Sequence, residues 1–300
     1  MSRVSDSIFG IFNAGFERRA ALMYDFISTN NTLGESSLYL NVGYWDGATR
    51  YDEACERLAE VLGEAADLRP GCALLDCGFG FGDAALFWHR RFGPATIDGL
   101  NIARVQVETA RERVRAVGLE ERIRLHLGSA TRMPFADASF DRVMALDCAF
   151  HFDTREAFFH EAFRVLKPGG RLATADLLPM QGSSRGTWEA SLYGAPAANW
   201  HPRSGYVHRL ENAGFTGIRV ESVVHMTYVP FARVTPERLR APEIRARMNR
   251  IVRWIYGGLF RFMPPREIDY VIAVADKHWP QANGSRSTTK TSPSSGSITG

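Results

Sequence analysis

From residue 72 to residue 176, short apolar runs alternate with stretches of helical periodicity, and few architectures accommodate that order. The apolar runs are Ala73 to Cys77, Thr96 to Leu100, Ile123 to Leu127, Phe140 to Ala145 and Arg171 to Asp176. The helical stretches run from near Asp83 through Trp88, from Ala103 to Val117 and from Thr154 to Leu166. Strand and helix in alternation specify an α/β doubly wound architecture, a parallel sheet with helices on both faces, and ligands bind beyond the carboxyl ends of its strands. Further along, a helix through Tyr206 to Asn212 stops at Gly214, and two more strands follow, Ile218 to Val224 and Tyr270 to Ala275.

The flanks differ from this core. Residues 1–70 place Ile8, Ile11, Phe12, Phe16, Met23, Tyr24, Phe26 and Ile27 at near-helical spacing, interrupted by the polar turn Ser28-Thr29-Asn30-Asn31. Residues 231–266 insert a helical element in which Arg233, Arg238, Arg240, Arg245, Arg247, Arg250, Arg253, Arg261 and Arg266 face only Glu237 and Glu243. Ile251, Trp254, Ile255, Leu259 and Phe262 are interleaved with them, so the element is basic and amphipathic. Residues 281–300 are rich in Ser, Thr, Gly and Pro and read as a disordered tail. The expected organisation is a helical cap segment over 1–70, one α/β domain over 71–280 that contains the insertion 231–266, and the tail 281–300. A chain of 300 residues with 45% hydrophobic content suffices for one large core.

A formal net charge of only +3 gives no global field of the kind nucleic-acid binders carry, so no nucleic acid is expected as partner. Cys55, Cys72, Cys77 and Cys148 show no C-x-x-C spacing, and three lie in apolar runs. They read as buried thiols in a reducing compartment rather than as disulfides or a zinc site, and no metal is expected. No run approaches the roughly 20 apolar residues of a membrane span. The first residues lack a basic stretch followed by an apolar signal core, so the expected location is the cytoplasm.

The string Leu74-Leu75-Asp76-Cys77-Gly78-Phe79-Gly80-Phe81-Gly82-Asp83 places three glycines at alternate positions between a strand and a helix. It reads either as a tight strand-to-helix turn or as a nucleoside-cofactor loop, in which glycine lets the backbone approach a ligand and the helix start offers unpaired N–H groups. A dinucleotide fingerprint would carry its third glycine where this chain has Asp83, a carboxylate that repels a pyrophosphate. A cofactor with a ribose, an amino acid and a positive sulfonium suits the loop better.

With its downstream segments included, the chain resembles the class I S-adenosylmethionine (SAM) methyltransferases over roughly residues 20–230. Among them it is most similar to small-molecule enzymes that methylate sugars and polyketides, with sterol and quinone methyltransferases more distant. Tyr39-Leu40-Asn41-Val42-Gly43-Tyr44-Trp45 resembles the segment that precedes the cofactor domain in that subgroup. Gly99-Leu100-Asn101-Ile102 with Gln106 is similar to the second motif, and Gly128-Ser129-Ala130-Thr131 with Met133-Pro134-Phe135 to the adenine-binding motif. Phe140-Asp141 through His151, then Arg164-Val165-Leu166-Lys167-Pro168-Gly169-Gly170, resembles motif IV and the turn into strand five.

The resemblance implies a Rossmann-like, mostly parallel sheet with an antiparallel last strand, capped by the N-terminal helices and the insertion. It implies SAM as cofactor, held by Tyr44, Asp76, Gly78, Gly80, Gly82, Asn101, Gln106, Ser129, Ala130 and Asp147. Two positions depart from the pattern: Asn101 and Ser129 stand where many relatives carry acidic residues. Asp76 and Asn101 equally suit turn-stabilising roles, Tyr44 and Trp45 equally suit a core, and Asp147 equally suits a strand cap or a substrate contact.

Methyl transfer from a sulfonium is an in-line displacement, and a hydroxyl nucleophile is helped by a base that takes its proton. His151 is the candidate base, and Asp176, at the end of the next strand, its candidate acidic partner, as the resemblance also implies. Taken without the motif, His151 reads as packed between Phe150 and Phe152. The expected acceptor is a hydroxyl on an apolar small molecule of secondary metabolism, its pocket completed by the N-terminal helices and by residues 179–205 with Trp188, Tyr193 and Trp200. C-methylation of an isoprenoid, prenyl diphosphate or sterol-like alkene is the alternative, and a cofactor-binding protein without catalysis is a reading from another class. The Arg-rich insertion covers a pocket, binds an anionic group through Arg forks, or lies on an anionic membrane surface. No string diagnoses the oligomeric state or the acceptor.

Overall fold

The computed structural model describes residues 16–26, 31–183, 190, 194–262 and 264–278. Chain order is α1 (Phe16–Phe26), α2 (Tyr51–Ala65), β1 (Ala73–Cys77), α3 (Asp83–Phe92), β2 (Thr96–Asn101), α4 (Arg104–Ala116), β3 (Ile123–Leu127), β4 (Phe140–Leu146), α5 (Arg155–Val165) and β5 (Leu166–Pro179). Then follow α6 (Arg203–Asn212), β6 (Thr216–Ser222), α7 (Tyr228–Arg238), α8 (Pro242–Arg247), α9 (Arg250–Phe262) and β7 (Ile268–Asp276). The strands form one seven-stranded sheet in the order β3-β2-β1-β4-β5-β7-β6. Strands β1 to β5 are parallel, and β7 runs antiparallel to both β5 and β6. The expected α/β fold with its antiparallel last strand is the fold observed.

Alternation along each strand sends side chains to opposite faces. In β1 and β4, Leu74, Met144 and Leu146 join α2, α3, α4 and the insertion in one core, while Leu75, Cys77, Val143 and Ala145 join α5 and α6 in the other. Helix α5 shows why it docks: Arg155, Phe158, Phe159, Ala162 and Val165 all fall on its buried stripe, and Thr154 caps its first turn by accepting from the Ala157 amide. An arginine on that stripe demands a buried counter-charge.

Two strands depart from expectation. Strand β5 begins at Leu166 rather than Arg171, because Leu166 already pairs with Phe140 and the glycine turn is absorbed as an irregularity in register. Strand β6 lies two residues earlier than the expected Ile218 to Val224, since Val223 and Val224 enter the turn that leads into α7. Ile8, Ile11, Phe12, Trp188, Tyr193 and the tail 281–300 lie outside the described residues. Among the described residues no helix is long and apolar enough to cross a membrane, and no cluster of His, Cys, Asp or Glu could hold a metal ion.

Candidate active site

A cavity of about 410 Å³ opens beyond the carboxyl ends of β1, β2 and β4. Its floor is the Gly78–Gly82 bend. Gly78 has φ 80°, and a Cβ there would lie 2.5 Å from the Cys148 Sγ, so only glycine permits this approach of the β1 and β4 ends. Gly82, at φ 85°, turns the chain into α3. The helix start that follows is already charged: Asp83 holds Arg113 through two contacts of 2.6 and 2.8 Å and accepts from the Leu38 amide at 3.2 Å.

The polar groups on the cavity wall are few and under-used. Asp76 is 1% exposed, its Oδ2 has no partner, and burial pushes its carboxyl up to about 8. Asn101 donates to the Gln106 Oε1 at 2.7 Å, which leaves the Gln106 Nε2 buried without an acceptor. Asp147, at φ 57°, accepts from the Val42 amide at 2.9 Å, and burial raises its carboxyl to about 7. Buried polar atoms left without partners cost free energy unless a ligand supplies them, so Asp76 and Gln106 point to a ligand carrying donors and acceptors.

His151 lines the same cavity from the 3-10 turn Ala149–His151. Its Nδ1 lies 2.8 Å from the Gly194 carbonyl. A carbonyl only accepts, so Nδ1 carries the proton and Nε2 keeps its lone pair. Burial, with a smaller contribution from the Arg155 charge, lowers the ring's pKa to about 4, so it is neutral at neutral pH. Tyr24 stacks edge-on against it, 5.2 Å between ring centres.

The expected pairing of His151 with Asp176 is not formed. Asp176 is 0% exposed and its Oδ2 lies 2.9 Å from the Arg155 Nε, while its Oδ1 accepts from the amides of Phe150 and Leu177. The unanticipated Arg155 claims the carboxylate, and the Gly194 carbonyl takes its place on the imidazole. Nothing in the sequence pointed to Gly194, whereas Arg155 among the apolar positions of α5 was a readable signal.

Other expected contacts also lie elsewhere. Residues Leu38 to Val42 form the wall, but the turn at Gly43 carries Tyr44 and Trp45 away from it to pack against the α2 core. The Ser129 hydroxyl lies 2.9 Å from the Thr131 hydroxyl and accepts from the Thr131 amide, and Ala130 is buried in the second core; neither lines the cavity. Gly78, Gly80, Asp76, Asn101, Gln106 and Asp147 do line it, with Gly82 turning the chain just behind. From the insertion come Phe231, Val252, Ile255 and Tyr256, with Tyr228 just before it at the start of α7, so it covers a pocket. Its Arg238 and Arg247 reach instead to residues 32–35 and to Glu243: Arg238 pairs with Glu35 and Glu243 and donates to the Leu33 carbonyl, and Arg247 contacts Thr32 and the Gly34 carbonyl.

A glycine-floored cavity at the strand ends, with an unpaired carboxyl and amide inside it, defines a protein that binds a nucleoside-type cofactor beside a neutral histidine. Residues 75–174 match the family described as a methyltransferase domain. The chain is 34% identical over 278 residues to the erythromycin 3''-O-methyltransferase of Saccharopolyspora erythraea, covering 86% of this chain and 90% of that one. Among solved structures, the [4+2]-cyclase SpnF superposes with TM-score 0.73 at 25% identity over 86% of this chain and 95% of that chain. The geranyl diphosphate C-methyltransferase of Streptomyces coelicolor A3(2), solved with S-adenosyl-L-homocysteine, shares the fold at TM-score 0.68 and 17% identity, over 88% and 99% of the two chains. The chain belongs to the SAM-dependent methyltransferases, and SAM is its cofactor.

Asp76 gives this assignment a measurable consequence. A carboxyl whose folded pKa is raised contributes stability below its unfolded pKa near roughly 4 and loses it as pH rises through about 8. Asp76→Asn is therefore expected to raise the melting temperature of the free protein at pH 8. With Asp76 as a cofactor contact, the same variant is expected to weaken binding of S-adenosylhomocysteine by about 10- to 100-fold. Calorimetry showing unchanged affinity removes Asp76 from the cofactor site.

Proposed function

We propose that the methyl group goes to a hydroxyl of a mostly apolar small molecule, with His151 as the base that receives its proton. The observation that carries this reading is the Nε2 lone pair of a neutral histidine on the cavity wall, its tautomer fixed by the Gly194 carbonyl. Bound SAM supplies an electrophilic methyl group on a sulfonium. Asp76, Asn101, Gln106 and the Gly78–Gly82 backbone would hold it. Tyr24, Phe150, Phe231 and Tyr256 give the cavity apolar walls that keep water from the nucleophile and suit an apolar acceptor. A base of low proton affinity takes the proton as the new C–O bond forms and the oxygen becomes acidic, rather than beforehand.

C-methylation of a prenyl diphosphate fits less well. Among the described residues no lysine or arginine lines the cavity, so a diphosphate would enter with nothing to neutralise it. The kinship with an erythromycin 3''-O-methyltransferase supports a hydroxylated natural product as acceptor. The test is incubation of the purified protein and isotope-labelled SAM with hydroxylated apolar metabolites, with products read by mass spectrometry and carbon NMR. The expected product carries the label as a methoxyl group. Label found on carbon instead, or no transfer to any hydroxylated acceptor, defeats the proposal.

A further inference from the structure

We propose that Asn199 is a positioning residue for His151, and that residues 194–199 act as one clamp that fixes both the seat and the tautomer of that ring. Asn199 is 1% exposed, at the end of the 3-10 turn Ala197–Asn199. Its Nδ2 donates to the carbonyls of Phe150 and Phe152, at 3.0 and 2.7 Å, the residues on either side of His151. Its Oδ1 accepts from the Arg155 amide at 2.8 Å, which ties the same side chain to the first turn of α5. Five residues earlier the Gly194 carbonyl holds the His151 Nδ1, and from behind Asp176 accepts from the Phe150 amide.

A primary amide suits this place because it carries two donors and one acceptor in a single rigid plane. Aspartate would set an acceptor against two carbonyls, and alanine would leave two carbonyls and one amide N–H buried without partners. The ring itself touches the chain through one hydrogen bond, the edge of Tyr24 and the neighbouring Phe150 ring, so its orientation depends on how firmly residues 150 and 152 are seated. A swing of about 1 Å at Nε2 is enough to cost a bound nucleophile much of its alignment. The role of this clamp in turnover rests on the reading of His151 as base; the clamp itself does not.

The experiment follows the His151 ring by nitrogen NMR in the full chain, with the resonance assigned by its loss in His151→Gln. In the wild type the ring is expected as the Nδ1–H tautomer with a titration midpoint well below the ordinary histidine value. In Asn199→Ala the two tautomers are expected to mix and the midpoint to rise by about one pH unit or more as the ring gains water. Affinity for S-adenosylhomocysteine should stay within about threefold, since Asn199 does not line the cavity. Asn199→Ser, which keeps one donor, should fall between the two. An unchanged tautomer and midpoint in folded Asn199→Ala overturns the proposal, as does failure of both variants to fold, which would make the contacts structural only. Normal turnover in His151→Ala, beside a changed tautomer and midpoint in Asn199→Ala, would sink the base assignment and leave the clamp standing.

Discussion

Replacing His151 by alanine is expected to lower kcat by about 10²- to 10⁴-fold, the range general-base catalysis supplies, with S-adenosylhomocysteine affinity nearly unchanged. The ring touches the Gly194 carbonyl, Tyr24 and Phe150 rather than the glycine bend, so its loss opens space on the acceptor side and leaves Asp76 and Gln106 in place. The pH profile follows from the direction of the ring's shift. With a pKa lowered to about 4 by burial, His151 is unprotonated throughout the neutral range, and the acid limb of kcat/KM falls well below the ordinary midpoint near roughly 6.5. The same shift bears on folding: the ring's contribution is complete above that ordinary midpoint and is lost as pH falls from there toward about 4, because the unfolded chain binds the proton first. Steady-state rates across pH 4–9 check the first statement and urea unfolding over the same range the second, and a variant with near-normal kcat shows that the acceptor needs no histidine.

The second large effect is structural. Arg155→Met strands the Asp176 carboxylate in a site closed to bulk solvent, because both partners are at most 1% exposed and the guanidinium is the cation that contacts it. Removing one member of a buried pair costs about 3–5 kcal/mol, and here the Arg155 contacts to the carbonyls of Asn199 and Leu177 are lost as well. Arg155→Met combined with Asp176→Leu should recover a large part of that loss, since neither charge is then left alone. Urea unfolding of the two single variants and the double variant measures the coupling. Strict additivity of the single losses would mean that the pair is not energetically linked.

The sheet was legible because each strand of the parallel half is a short apolar run closed by a turn signal, and because the helices between them keep a single apolar stripe. The glycine bend was legible for a local reason: a chain that must pass within contact distance of Cys148 has one residue type to use at Gly78. What could not be read were pairings set by the tertiary approach of distant segments. Asp176 sits where the motif put it, yet its partner is chosen by Arg155 on the neighbouring helix, 21 residues earlier in sequence. Tyr44 belongs to a segment that does border the cavity, but the left-handed turn at Gly43 swings it to the other side. Gly194 and Asn199 act through a backbone carbonyl and a side-chain amide, groups that every loop possesses and no spacing advertises.

The pairing of Asp83 with Arg113 also bears on which cofactors this scaffold can ever accept. An anion at the mouth of α3 is furnished by the polypeptide itself, locked in place by the neighbouring helix and by the Leu38 amide. A pyrophosphate seeking the same spot would have to compete with a tethered carboxylate that never diffuses away. Drift of this protein toward nicotinamide or flavin chemistry would need Asp83 removed, its guanidinium reassigned and the 38–42 wall re-anchored at once, which makes its commitment to a cationic donor hard to reverse by single steps.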